Sequence, residues 1–332
     1  MAVSSLPRPR LAVTLGDPRG IGPEVVARAL GQGREAPLAA DVVLVGPDDQ
    51  LPGIPARSRL GIGRWGQGSG EWGVVPDGAS ESTTPHSSLP DERELLAGKL
   101  TARAIERAVW LARAGEVDAI VTGPVHKQAL HRAGYRYPGV TEFLAHLGGG
   151  VDVAMMLATP TLRVVLVTTH IPLREVLRHV TTERVVRVGR ITVDALRAWW
   201  GLAAPRLAVC ALNPHAGEGG LFGDEDDRVL KPAAEQLGAA GPLPADTVFV
   251  RAMRGEFDAV LTPYHDVGMT AVKVSGFGRG VNVTLGLPFP RTAPDHGTAF
   301  DIAGKGIADP ASMVAALELA AQLVSRKEAR VG

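Results

Sequence analysis

The chain has 332 residues, with Lys+Arg and Asp+Glu both at 35, so its formal net charge is zero. That balance excludes the basic field that holds nucleic acid, and no basic–aromatic interleaving replaces it. The apolar runs are broken by charge or glycine well short of a membrane span, and Met1–Arg10 lacks the apolar core of a signal peptide. A single cysteine permits no internal disulfide, and Cys210, on an apolar run, reads as a packed core residue. These features predict a cytoplasmic globular protein with no nucleic-acid or membrane partner. The length predicts two domains or one large α/β unit.

In chain order, Leu11–Thr14 reads as a strand running into Gly16–Pro23, and Glu24–Leu30 as a helix with Pro23 near its first turn. Asp41–Val45 is a second strand. Leu51–Pro90 is rich in Gly, Ser, Pro and Thr and reads as long loops with one short strand at Trp72–Val75. That stretch contains a G-x-G-x-x-G, Gly61–Gly66. A dinucleotide fingerprint needs a strand before it and a helix after it, to aim backbone N–H groups at a pyrophosphate. Neither Pro55–Arg59 nor Gln67–Gly70 supplies that context, so the match is set aside.

Asp91–Ala114 carries Leu95, Leu96, Leu100, Ala104 and Ala108 near helical spacing. Val117–Thr122 reads as a buried strand ending in Gly123-Pro124-Val125-His126-Lys127, followed by a short helix at Gln128–Ala133 and a turn through Tyr137–Phe143 into another. Val153–Leu157 and Leu162–Thr169 are spaced as a hairpin. Thr181–Trp200 is a long amphipathic helix, Asp224–Gly238 is helical, and Ala259–Pro263 and Val281–Leu285 are strands. Met269–Val274 reads as a strand or loop, and Pro310–Glu328 as a final helix. Alternating strands and helices predict a mostly parallel sheet, which the hairpin makes mixed.

Three strands end alike. Leu207–Leu212 breaks into Asn213-Pro214-His215, Val164–Thr169 into His170, and Ala259–Pro263 into His265-Asp266. Open α/β sheets bind ligands at the carboxyl ends of strands. Neutral imidazole is the commonest side-chain metal ligand, and three leave a position open for substrate or water. The three histidines are therefore taken as one candidate metal site; the competing reading is a polar residue capping each strand end. Asp266 and Asp246 are candidates for a general base or for orienting a ligating histidine, and Asp246 also reads as a helix N-cap. Lys273, Asn282 and Arg291 supply the point charge, amide and fork that a phosphate needs. The Gly- and Ala-rich loop Ala293–Pro310, with His296 and Asp301, lets backbone approach a flat ligand and reads as a nucleotide loop of a non-Rossmann kind.

Thr14-Leu15-Gly16-Asp17-Pro18, Val121–Lys127, Leu212–Gly220, Tyr264-His265-Asp266 and Gly276–His296 together resemble the 4-hydroxythreonine-4-phosphate dehydrogenase family of pyridoxine biosynthesis. The likeness keeps its order over nearly the whole chain and is weak only at Leu51–Pro90. Asp295–Pro310 also resembles the NAD loop of isopropylmalate and isocitrate dehydrogenases. The resemblance implies a three-layer α/β/α two-domain fold of that type, with a mostly parallel mixed sheet and a cleft between domains. Residues 1–130 plus 285–332 would form the cofactor side, and 131–284 the metal, substrate and dimerisation domain.

It further implies an NAD-dependent enzyme (NADP being the alternative) with a divalent metal, Zn2+, Co2+ or Mg2+, working as a homodimer with sites at the interface. His170, His215 and His265 fall on metal-ligand positions drawn from both subunits. Thr141, Lys273, Asn282 and Arg291 fall on substrate positions, and His296, Gly297, Asp301 and Asp309 on the cofactor loop. Proton transfer falls to Asp246 or Asp266, with Lys127 a lesser candidate. One departure stands out: the family usually places a histidine before the threonine, and this chain has Gly139-Val140-Thr141-Glu142. Valine cannot supply that hydrogen bond or charge. Relatives acting on D-threonate or D-erythronate 4-phosphate are therefore alternatives, as is a non-catalytic metabolite-binding relative. A relative acting on an aromatic cis-dihydrodiol without phosphate fits poorly, because the phosphate set is kept.

Overall fold

The computed structural model describes residues 8–31, 37–65, 90–276 and 278–331. The chain divides into two compact units, one of Pro7–Gly148 with His296–Ala321, the other of Gly149–Asp295 with the chain's end from Gln322. The divisions fall at 148/149 and 295/296, where the sequence reading placed them at 130/131 and 284/285.

The first unit holds β1 (Arg10–Thr14), α1 (Gly22–Leu30), β2 (Asp41–Gly46), β3 (Ser58–Gly61), α2 (Pro90–Arg113), β4 (Ala119–Thr122), α3 (Lys127–Arg132) and α4 (Val140–Leu147). Its strands run in the order β3-β2-β1-β4 and are all parallel, with Ala12 of β1 opposite both Val43 and Ile120. Apolar runs make β1 and β4 strands buried on both faces, as parallel sheets require. The helix α2 covers β1, β2 and β4.

β3 corrects the reading of Leu51–Pro90 as loop apart from Trp72–Val75. Its mostly exposed Ser58-Arg59-Leu60-Gly61, of which only Leu60 is half-buried, has no apolar alternation because it pairs on one side only, at the edge of this unit's strand order. A strand thus does precede Gly61, although Gly63 is spent on a turn in which its N–H donates to Asp48 Oδ2 at 3.2 Å. Trp72–Val75 lies outside the described residues.

The second unit holds β5 (Ala154–Ala158), β6 (Arg163–Leu166), α5 (Leu173–His179), α6 (Thr182–Ala198), β7 (Leu207–Cys210), α7 (Lys231–Leu237), β8 (Ala240–Leu243), α8 (Ala245–Met253), β9 (Ala259–Thr262), α9 (His265–Gly276), β10 (Val281–Leu285) and β11 (Arg291–Pro294). The helix α10 (Ala311–Val331) ends the chain. The order here is β11-β10-β5-β6-β9-β7-β8. β11, β10, β5 and β6 pair antiparallel, and β6, β9, β7 and β8 parallel, so the sheet is mixed. Thr181 caps α6, its hydroxyl accepting from Arg184 N at 3.2 Å.

Met269–Val274 is part of α9, neither strand nor loop. Its β-branched residues are overridden by tertiary contact: Gly268 brings the helix so close to β6 and β9 that a Cβ there would lie 2.8 Å from both Val164 Cγ1 and Thr262 Oγ1. Val272 enters the core with Leu157, Val164, Leu166, Cys210, Val248 and Val260. α5, β8 and β11 were not foreseen; β8 is Ala-Gly-Pro-Leu, whose composition speaks against a strand. Among the described residues no helix is long and apolar enough to cross a membrane.

Candidate active site

The strands β6, β9 and β7 are consecutive neighbours in one parallel block, so their carboxyl ends lie along one edge. His170 leaves β6 and His265 starts α9 directly after β9, and the two imidazole centroids are 5.4 Å apart. The strand exits are tied together: Val167 N donates to Thr262 O at 2.9 Å and Thr168 Oγ1 to Pro263 O at 2.7 Å. His265 Nδ1 lies 2.7 Å from Asp266 Oδ1. Opposite a carboxylate, Nδ1 is the donor, which makes Nε2 the ring nitrogen available to a ligand, the arrangement that ligating histidines use. Of the two roles read for Asp266, this contact fits the orienting one.

His215 is presented differently. It is exposed, at the start of a turn, Pro214–Gly220, in which residues 215–220 all have positive φ. Its ring lies 6.4 Å from that of Phe222. Among the described residues no group of three His, Cys, Asp or Glu side chains of this one chain is placed to hold a metal. The pair of imidazoles forms, and the set of three does not form within a single chain. The donor chemistry still fits a divalent cation: two imidazoles stand at adjacent strand ends, one of them oriented by a carboxylate.

Asn282, Thr284 and Arg291 share one face of the β10–β11 hairpin, because Thr284 pairs with Arg291 and Asn282 lies two residues away. Arg291 is 4 % exposed, donates from Nη1 to Thr284 Oγ1 at 3.1 Å, and has its pKa pulled down to about 10 by burial. Asn282 Oδ1 is buried with no hydrogen-bond partner in the described structure. Lys273 is exposed near the end of α9, seven residues from Asp266 and so on the same helical face. Asp246 is exposed in the first turn of α8 and is not its N-cap: Pro244 holds that place with φ −53° and ψ 137°. The cap reading fails because proline starts the helix by its fixed φ. Asp246 instead sits at the favourable end of the helix dipole.

In the first unit, Thr141 is buried in the first turn of α4, preceded by Val140 and an extended Gly139. A Cβ built on Gly139 would lie 3.9 Å from Lys127 Nζ, so Lys127 and the Thr141 turn are neighbours. The loop from His296 is held by the start of α1: Ile21 N donates to Thr298 O at 2.9 Å, and Ala308 N to Glu24 Oε1 at 2.9 Å. His296 Nε2 is buried without a partner in the described structure, while Nδ1 lies 3.1 Å from Gly297 O. Asp301 is exposed, and Asp309 Oδ1 accepts from Ala311 N at 2.9 Å, a side-chain turn that leads into α10. An orphaned imidazole nitrogen and an open, glycine-rich backbone fit a nucleotide better than a self-contained turn.

Sequence reasoning missed a polar cluster beside this loop. Arg19 forms a fork on buried Asp17 at 3.0 and 2.8 Å and lies over the Phe300 ring at 5.0 Å. His126 meets the same ring edge-on at 5.1 Å and sits 3.2 Å from Glu94, which also takes Arg132 at 2.8 Å. A cavity of ≈ 530 Å³ lies alongside, lined by Arg19, Gln50, Trp65, Arg93, Ala303 and Gly304 among others. No motif marks it, because its members come from the exits of β1 and β4, from α2 and α3, and from the loop after β11.

Comparison with known proteins adds a second line. The family model described as pyridoxal phosphate biosynthetic protein PdxA matches residues 81–320. A protein of Beijerinckia indica subsp. indica named 4-hydroxythreonine-4-phosphate dehydrogenase is 46% identical over 327 residues, 94% of each chain. A D-threonate 4-phosphate dehydrogenase of Cupriavidus necator is 44% identical over 341 residues, 96% of this chain and 98% of its own. The crystal structure of a Klebsiella pneumoniae 4-hydroxythreonine-4-phosphate dehydrogenase superposes with a TM-score of 0.81 at 38% identity, covering 97% of this chain and 99% of that one.

Proposed function

The chain belongs to the pyridoxal phosphate biosynthetic protein PdxA family, and from that premise we propose that it is an NAD-dependent, divalent-metal-dependent dehydrogenase of 4-phosphooxy-L-threonine. The reaction oxidises the substrate's secondary alcohol to 2-amino-3-oxo-4-phosphooxybutanoate. As a β-keto acid this loses CO2 to give 3-amino-2-oxopropyl phosphate, in pyridoxine 5'-phosphate biosynthesis. The observation that carries the reading is the His170–His265 pair at neighbouring strand ends, with His265 oriented by Asp266.

His170, His215 and His265 would hold the cation, as a set completed across a homodimer. Bound there, it supplies Lewis acidity that makes the substrate hydroxyl a better proton donor, while NAD+ supplies the hydride acceptor. Arg291 and Asn282, on one hairpin face, and Lys273 on α9 bind the phosphate, which anchors the carbon chain away from its reacting carbon. Thr141 offers its hydroxyl to the substrate from the first turn of α4. Asp266 is engaged with His265, so Asp246 is the carboxylate we assign to take the hydroxyl proton. His296, Gly297 and Asp301 line the nucleotide loop, with Asp309 closing it at the turn into α10.

One observation favours a second reading. Val140 puts an apolar side chain where the family carries a substrate-contacting imidazole, and relatives of both substrate classes are about equally similar. D-Threonate or D-erythronate 4-phosphate, with a hydroxyl in place of the amine, is the alternative substrate. A side-by-side assay of NADH formation from the three compounds decides between them. The highest kcat/KM is expected for 4-phosphooxy-L-threonine; a higher value for either sugar-acid phosphate transfers the assignment to it. Turnover of none, with tight phosphate-ligand binding retained, would leave a non-catalytic binding protein.

A further inference from the structure

We propose that Asp226 is a positioning residue for His215: its buried carboxylate fastens the left-handed turn that presents the imidazole. The proposal rests on the reading of His215 as a metal ligand. From His215 to Gly220 the backbone φ values are 52, 57, 80, 43, 67 and 93°. For His215, Ala216 and Glu218 this region crowds Cβ against the next carbonyl, and L-residues visit it singly rather than in runs. Such a run persists only where its surroundings over-determine it.

The surroundings here converge on one side chain. Asp226 is 1 % exposed, and both of its oxygens accept from the strand exit: Leu212 N donates to Oδ1 at 2.8 Å and Asn213 N to Oδ2 at 3.0 Å. Asn213 is further held by Glu225, its Nδ2 lying 2.8 Å from Oε2, and its carbonyl accepts from Ala216 N at 3.2 Å. Phe222 N closes the far side of the turn on Gly217 O at 3.1 Å. Gly217 is buried, and a Cβ there would lie 2.8 Å from Gly223 O. Asp226 itself opens a π-helical turn, Asp226–Leu230, that runs into α7. Single π turns insert one residue into a helix and recur at functional sites; this one coincides with the carboxylate that turns back to the strand exit.

An amide cannot do the same work. In Asp226→Asn one of the two acceptors becomes a donor facing a backbone N–H, which releases Leu212 or Asn213 and with it the fixed entry into the turn. The test uses the full-length protein stripped of metal and titrated with Co2+, whose visible spectrum reports ligand geometry. Removing a group that orients a ligand weakens metal binding by about 10–100-fold. That loss is expected for Asp226→Asn, together with an altered Co2+ spectrum and lost hydrogen-exchange protection at the Leu212 and Asn213 amides.

Leu162→Ala, a core truncation at the opposite end of β6 from His170, should lose stability and keep its metal affinity and spectrum. An Asp226→Asn protein with wild-type affinity and spectrum overturns the proposal. His215→Ala separates the two levels: if it binds Co2+ as the wild type does, the ligand reading fails, and if it loses Co2+ while Asp226→Asn does not, only the positioning role fails. Should Asp226→Asn not fold, the wild-type protein gives the answer, since Co2+ must then raise protection at Leu212 and Asn213. Unchanged protection contradicts the proposal.

Discussion

His265 and His215 leave neighbouring strands of one sheet and are presented in opposite ways. His265 starts a regular helix, α9, which Gly268 seats against β6 and β9, and the adjacent residue sets its tautomer. His215 sits in a strained turn whose fastening comes from a buried carboxylate further along the chain. The first arrangement is local: strand, helix start, carboxylate. The second hands the positioning to tertiary contacts and holds only while they hold. A site built from both has one rigid donor group and one that can be loosened without touching a ligand.

The largest effects should fall on the imidazoles and test whether both belong to one site. A bound cation contributes several kcal/mol to such a reaction, so His265→Ala and His215→Ala should each lower kcat/KM about 1,000-fold and lose metal in elemental analysis. If His215→Ala keeps both while His265→Ala loses both, the comparison is broken, because the turn then serves another purpose. Asp266→Ala removes only the tautomer control of His265 and should weaken metal affinity about 10–100-fold in an equilibrium titration; an unchanged affinity would deny the local half of the comparison.

Glycine substitutions probe the two supports through stability. Gly268→Ala forces a Cβ into three contacts below 3.0 Å and should cost about 1–3 kcal/mol in a denaturant titration. Gly217→Ala places a side chain at φ 80° and 2.8 Å from Gly223 O, with an expected loss of about 1–2 kcal/mol. Wild-type stability in Gly217→Ala would mean that the turn is not strained.

The smallest effect at neutral pH concerns Cys210, the last residue of β7 before the His215 segment. Burial pushes its thiol from the ordinary value of 9.0 up to about 12. A raised folded-state pKa contributes stability that is fully present below pH 9 and is lost as pH rises toward 12. Denaturation midpoints should fall over that window less steeply in Cys210→Ala than in the wild type. Equal slopes would show that this strand end admits water.

The parts legible in the sequence are those fixed by local pattern. β1, β4, β6, β7 and β9 are apolar runs with abrupt stops, and His170, His215 and His265 follow the stops of β6, β7 and β9. The hairpin of β5 and β6 and the helices α2, α6 and α10 follow from spacing. What escaped depends on partners distant in sequence. Met269–Val274 reads as a strand or loop until Gly268 places it against a sheet, and Ser58–Gly61 is a strand only because β2 lies beside it. Asp226 is one acid among Asp224-Glu225-Asp226-Asp227, and nothing in that run says which of them turns inward. Arg19, Glu94 and His126 join only when β1, α2 and β4 come together. Val140 is the reverse case: the sequence exposes it at once, and the fold merely places it in the first turn of α4.

The most direct test of the central claim is NADH formation from 4-phosphooxy-L-threonine by protein stripped with a chelator, before and after a divalent cation is returned. The account predicts that activity disappears on stripping and returns with Zn2+, Co2+ or Mg2+. Unchanged activity in the metal-free protein would contradict it.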